Sequence, residues 1–281
     1  MKPSGPPAPA ESIEAQAWAA LLRRPGSARA VVLMLATLLL MTVAALVMLV
    51  VAAATLFRAG RLYRELLARG LARAILAVWR IRVVVHADRP WPASQTMYIS
   101  NHTSTIDLFV LVALGLPRTR FFLSGFLRKI VPLGIISTLM GTFHTPPQAD
   151  RAARVRCFQE ADRTLRRTGD SVYLSPEGQR VTTGAIGAFN RGAFHLATSL
   201  RGPIVPLYID IPREIDPGKG YAAQPGTVHV YVGPSLPTAT WRLEDVARNR
   251  ERVRDLYVSV QAGIRAGRGQ DVWPRIGLAG E

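Results

Sequence analysis

A chain of 281 residues with 49% hydrophobic side chains can bury one good-sized core plus an appended segment. A net charge of +16, from 32 Arg and 3 Lys against 19 acidic residues, favours anionic partners: lipid headgroups, nucleic acid or an acidic carrier protein. The single cysteine, Cys157, excludes an intrachain disulfide and a thiolate metal cluster, and 7% aromatic residues are too few for the base-stacking platforms of a nucleic-acid binder.

The chain opens on a Pro- and Ala-rich stretch, and residues 1–28 are expected to be a flexible tail and a short polar segment. From Ala30 to Phe57 there is no charged residue, no Gly and no Pro. A helix of that length runs about 42 Å, beyond the ~30 Å hydrocarbon core of a bilayer. The run exceeds the apolar part of a secretory signal, and no small-residue cleavage site follows it. Residues 29–80 are therefore expected to form membrane-embedded and interfacial helices of an inner (cytoplasmic) membrane protein. Arg58, Arg61, Arg64, Arg69, Arg73, Arg80 and Arg82 outweigh Arg23, Arg24 and Arg29, which puts the downstream domain on the cytoplasmic side. Tyr63, Leu67, Leu71, Ile75 and Trp79 recur along one side of a helix whose other side carries Arg58, Arg61, Glu65, Arg69 and Arg73. Beside an apolar span this predicts an interfacial helix, and a joint near Gly60 allows a hairpin within one leaflet. The alternative is a core-facing helix with a solvated Arg face.

Beyond Arg80 the pattern turns to mixed α/β. Strand-like runs fall at Ile81–Val85, Met97–Ile99, Phe121–Leu123, Ser171–Leu174, Ile204–Ile211 and Val228–Val232. Helical stretches lie at about Thr105–Leu114, Asp150–Arg167 and Arg191–Ser199. The alternation predicts a single α/β domain over residues 81–240, a mixed sheet flanked by helices. A C-terminal helix, about Leu243–Ala262, and a tail occupy 241–281. Pro206 predicts that its strand is an edge or irregular one.

Two motifs carry chemistry. In Asn101-His102-Thr103-Ser104-Thr105-Ile106-Asp107, a histidine and an aspartate stand five residues apart just after a strand-like run. A neutral imidazole takes a proton from a hydroxyl, and a carboxylate one helical turn along fixes its tautomer. The second is Leu174-Ser175-Pro176-Glu177-Gly178-Gln179-Arg180, where Pro and Gly turn the chain at the end of another strand. There Glu177 can accept from substrate hydroxyls and Arg180 can fork onto phosphate or carboxylate. A third feature, Gly202-Pro203-Ile204-Val205-Pro206-Leu207, brackets an apolar strand start with prolines. His144 is expected to be structural, and His195, in an apolar helical run, a packed core residue.

These features, in this order, resemble the glycerophospholipid acyltransferases, the 1-acylglycerol-3-phosphate acyltransferase (PlsC-like) family. Asn101, His102 and Asp107 match its NHxxxxD motif, Pro176-Glu177-Gly178 and Arg180 its FPEGTR motif, and Pro203–Pro206 its final VPIVP motif. Gly141-Thr142 falls where its second motif begins. The resemblance covers about residues 80–235 and implies a membrane-bound acyltransferase. Its acyl donor would be acyl-CoA or acyl carrier protein, and its acceptor the hydroxyl of a lyso-lipid, most simply 1-acylglycerol-3-phosphate. It further implies His102 as general base, Asp107 as its orienting partner, and no metal or cofactor. Glu177, Gly178 and Asn101 would help to hold the acceptor, Arg180 would pair with phosphate, and a nearby backbone amide would stabilise the oxyanion.

The chain departs from the family pattern in its second motif, Gly141-Thr142-Phe143-His144-Thr145-Pro146-Pro147, where proline replaces a phosphate-binding Arg. Arg151, at the start of the next helix, is the expected substitute. Ser175 and Gln179 replace the usual Phe and Thr. Another acceptor, such as a lyso-ornithine lipid, is the alternative for the same chemistry. A lipase reading finds no G-x-S-x-G nucleophile turn anywhere in the chain. A rival of another class is a non-catalytic protein that binds anionic lipid; nucleic acid is not an expected partner.

Overall fold

The computed structural model describes residues 28–216, 223–268 and 272–273; the Pro-rich tail, with Arg23 and Arg24, lies outside this range. Helix α1 spans Ala28–Ala54, a run of good helix formers whose first charged residue is Arg29. The chain reverses at Thr55–Ala59, just ahead of Gly60, where Leu56 and Phe57 adopt left-handed backbone angles and stand exposed. A short helical turn (Gly60–Leu62) and a π-helical turn (Tyr63–Ala68) then lead into α2, Arg69–Val78.

The stripe expected to lie on a membrane is packed inside the protein. Tyr63, Ala68, Ala72, Ile75, Leu76 and Trp79 are buried against α1 and the sheet layer, so the core-facing alternative describes this helix. Arg64, counted above among the flanking cations, is buried too. It ties the hairpin to the sheet through Asp170 Oδ2 (3.4 Å) and the Met140 carbonyl (3.2 Å), while Arg120 Nε holds the same Asp170 oxygen at 2.8 Å.

The seven strands are β1 (Ile81–His86), β2 (Met97–Ser100), β3 (Thr119–Ser124), β4 (Phe143–Thr145), β5 (Ser171–Leu174), β6 (Ile204–Asp210) and β7 (Gly226–Val232). They form one sheet in the order β1-β7-β6-β2-β5-β3-β4, with every pair parallel except β6 and β7. The mixed sheet flanked by helices is thus as expected, with the three-residue β4 added at the edge.

Hydrophobic residues pack on both faces. One face is covered by α1, α2, α3 (Ile106–Leu114) and α4 (Val131–Leu139). The other is covered by α5 (Arg151–Thr168), α6 (Arg191–Leu200) and α7 (Val246–Arg265). Helix α7 is integral rather than appended: the fully buried Tyr257 donates its hydroxyl to the Ile99 carbonyl of β2 at 2.8 Å.

Pro206 does not mark an edge. Strand β6 lies inside the sheet, between β7 and β2. The proline is tolerated because its main chain faces the point where the β7 ladder ends. Its carbonyl accepts from Gly233 N there, and the register then slips by one residue to the isolated bridge Ile204↔Leu236.

Candidate active site

Three strands end at the site: β2, β5 and β6. The chain leaving β2 enters α3 on one face of the sheet, and the chain leaving β5 reaches α6 on the other. Adjacent connections that diverge to opposite faces open a crevice at the carboxyl ends of the strands. His102 stands in it.

Each flanking element fixes the main chain of His102. Asn101 is buried and clips β2 to β6, donating from Nδ2 to the Ile209 carbonyl (2.9 Å) and accepting from Ile209 N (2.8 Å). Glu177, just past β5, accepts from His102 N on one oxygen and from Gly187 N on the other, both at 2.7 Å. Val181 N returns to the His102 carbonyl at 2.8 Å. The residues between His102 and Ile106 are an extended turn rather than the first turn of a helix.

Asp107, in the first turn of α3, reaches back over that turn. Its Oδ2 accepts from Thr103 N (2.8 Å), Ser104 N (2.9 Å) and His102 Nδ1 (2.8 Å). A carboxylate only accepts, so the Nδ1 of the imidazole carries the proton and Nε2 presents a lone pair. The Asp107 side chain is 1% exposed and that of His102 27%, so the imidazole is open to the crevice while its partner is sealed beneath it.

The structure reassigns several residues expected to touch substrate. Asn101 and Glu177 spend both ends of their side chains on backbone and are buried, so they brace His102 rather than hold glycerol. Burial pushes the Glu177 carboxyl above the usual carboxylate range, and the N–H groups of Gly187 and His102 oppose that shift. Gly178 is exposed and serves the turn. Its φ is +68°, and a Cβ there would lie 2.6 Å from Asn190 Nδ2, which donates to the Pro176 and Glu177 carbonyls. Arg180 does reach the motif, donating from Nη1 to Thr105 Oγ1 at 2.8 Å.

Arg151 is exposed at the start of α5 and makes no bond to this turn. Arg154, one turn further, is the arginine that faces it: Nη1 donates to the Pro146 carbonyl (3.2 Å), and Nη2 lies 3.9 Å from a Cβ built on Gly178. The i, i+3 step along a helix that begins at Arg151 is the signal that could have found it. Another residue missed from sequence is Asp216. Buried in the loop after β6, it accepts a very short hydrogen bond from Ser104 Oγ, which in turn accepts from Ile106 N at 3.0 Å. No motif spacing connects positions 104 and 216; only the sheet order brings them together.

The other histidines are structural or remote. His144 on β4 meets Ser137 of α4 at 3.0 Å, and burial lowers its pKa to about 4. His195 is exposed on α6, contrary to expectation, because Phe194, Leu196 and Ala197 fill the core-facing side of that helix. Among the described residues no cluster of three or more His, Cys, Asp or Glu is placed to hold a metal ion.

The chain is similar to known proteins in sequence and in fold. A sequence profile of the Acyltransferase family matches residues 82–210, from β1 to the end of β6. The 1-acyl-sn-glycerol-3-phosphate acyltransferase alpha of Bos taurus is 29% identical over 184 residues, 65% of this chain and 64% of that protein. The Homo sapiens enzyme of the same name is 29% identical over 65% of this chain and 65% of its own length. The match thus spans slightly under two thirds of these relatives. The crystal structure of the 1-acyl-sn-glycerophosphate (LPA) acyltransferase PlsC from Thermotoga maritima superposes with a TM-score of 0.62, covering 84% of this chain and 98% of that one. At 19% identity that likeness speaks for the fold. The profile, the named relatives and the fold agree: over residues 82–210 this chain is similar to the 1-acyl-sn-glycerol-3-phosphate acyltransferases, and its fold is PlsC-like.

Proposed function

We propose that this protein is a membrane-bound O-acyltransferase that moves a fatty acyl group from acyl-CoA or acyl carrier protein to the hydroxyl of 1-acylglycerol-3-phosphate. One observation carries the reading: the His102 lone pair on Nε2 is open to the crevice while Asp107 holds Nδ1 from below. Nε2 takes the hydroxyl proton as the oxygen attacks the thioester carbonyl. Asp107 stabilises the imidazolium that forms. When the tetrahedral intermediate collapses, the C–S bond breaks and the imidazolium returns the proton to the thiolate. No acyl-enzyme is needed.

The main-chain N–H groups of residues 102–104 are all spent on Glu177 and Asp107, so the oxyanion donor lies outside this turn. Arg180 and Arg154, on two sides of the turn after β5, are suited to the acceptor phosphate. The proline in place of the family's arginine keeps a lyso-ornithine lipid in view as the other acceptor for the same chemistry.

Helix α1 also supports a membrane location, in a form different from a spanning helix. It is long and apolar enough to cross a bilayer. Yet Arg29 binds the Ala223 carbonyl (3.0 Å), Thr37 accepts from Trp79 Nε1 (2.8 Å), and Thr55 meets the Tyr63 hydroxyl (3.1 Å), so the domain holds it along its length. Its outer side shows Val32, Leu35, Leu39, Leu46 and Val50 to the surroundings. Such a helix lies in the plane of one leaflet, here the cytoplasmic leaflet of the inner membrane, by the charge bias read above.

The test supplies labelled acyl-CoA and acyl carrier protein, with lysophosphatidic acid and lyso-ornithine lipid as acceptors, to membranes carrying the protein. Labelled phosphatidic acid is the expected product. Exclusive labelling of the ornithine lipid would reassign the acceptor. No product with any pair would favour a non-catalytic lipid-binding role.

A further inference from the structure

Beside the outer strand β1 runs an open trough of about 470 Å³, walled by α2 and the end of α3 and capped by Trp91. The volume is within the ~300–1,000 Å³ usual for small-molecule sites. It is separate from the crevice. The trough touches Ala113 and Leu114, the last residues of α3, whereas His102 precedes the first, and the helix between them is about 13 Å long.

Its lining has two chemistries. Strand alternation turns Ile81, Val83 and Val85 to the same side, where they make an unbroken apolar floor; Val85 stays 43% exposed. On one wall Arg69 and Arg73 stand one helical turn apart and so project together. Neither has a carboxylate partner among the described residues; Arg69 only leans on the Ala113 carbonyl at 3.4 Å. Two unneutralised guanidiniums at the side of a narrow apolar floor are complementary to one anionic head on one hydrocarbon chain.

We propose that this trough binds a single-chain fatty acid, its carboxylate forked by Arg69 and Arg73 and its chain laid along Ile81, Val83 and Val85. The site stands independently of the acyl-transfer reading, because it shares no residue with the crevice.

The experiment uses the full chain in phosphatidylcholine nanodiscs with a C16 fatty acid carrying a diazirine near its methyl end. Photolabelling is expected in the peptide holding Val83–Trp91, to be displaced by palmitate, and to be at least fivefold weaker with the matching C16 alcohol probe. Arg73→Glu, which reverses the charge, and Ala77→Trp, which fills the trough, should each cut the yield fivefold or more. Both positions are exposed, and an unchanged melting temperature checks the fold of each variant. Equal labelling by the alcohol, labelling confined to the outer side of α1, displacement by lysophosphatidate but not palmitate, or indifference to both variants would each overturn the proposal.

Discussion

His102 and Asp107 work as a pair only because a turn, not a helix, separates them. Had residues 101–105 been helical, the Thr103 and Ser104 N–H groups would have pointed back along the helix axis, away from Asp107. Instead both point at Asp107 and hold it under the imidazole. The motif was legible because its partners are local, but the braces were not, since Glu177 and Asp216 come from loops 75 and 112 residues away. Glu177→Gln tests one brace. An amide offers one acceptor where two N–H groups need one each, so one is left unpaired at a cost of about 1–3 kcal/mol. Chemical denaturation should show that loss together with a fall in kcat, whereas unchanged stability would deny the buried double contact. Asp216→Ala tests the other. Ser104 would still accept from Ile106 N but lose its anchor, so kcat should fall roughly tenfold with KM little changed, and Asp216→Asn should restore most of it. A selective rise in KM would instead place Asp216 among the substrate contacts.

At the level of elements, periodicity predicted all strands but β4, which at three residues is too short to show any. Two expectations turned on what lies opposite, which local pattern does not say: the interfacial helix failed, and of the edge or irregular strand at Pro206 only the irregular one held. The apolar stripe of α2 reads identically whether it meets lipid or α1, and Pro206 reads as an edge residue unless the end of β7 is known to face it. Strand β4 is held to α4 by His144 and Ser137, and this contact has a pH signature. The imidazole has a native pKa of about 4 against 6.5 when unfolded. Between those values the unfolded chain binds a proton that the native state refuses. Stability is therefore complete above about pH 6.5 and declines as pH falls toward 4, by less than the full shift would give because the half-buried ring is partly screened by solvent. Melting curves at pH 7.5 and 5 should differ more for the wild type than for His144→Asn; equal differences would show that His144 does not titrate this way.

For the whole molecule, α1 packs on the hairpin and the sheet layer and leaves its apolar outer side exposed, the surface proposed to meet the membrane. In the Cys157→Ser background, spin labels at Leu39→Cys and Val50→Cys report the lie of α1. Both side chains are exposed, at 65% and 69%, and eleven residues bring them back to the same side of the helix. An in-plane helix gives equal membrane depths, while a spanning one separates them by about 16 Å. The central claim concerns the crevice, and kinetics test it most directly. Acyl transfer to lysophosphatidic acid should be measured for the wild type, His102→Ala and Asp107→Asn in the same membranes. The account predicts a loss in kcat of about 10²–10⁴ for His102→Ala and a large loss for Asp107→Asn, with both proteins folded. A His102→Ala enzyme that keeps its rate within a factor of three would contradict it.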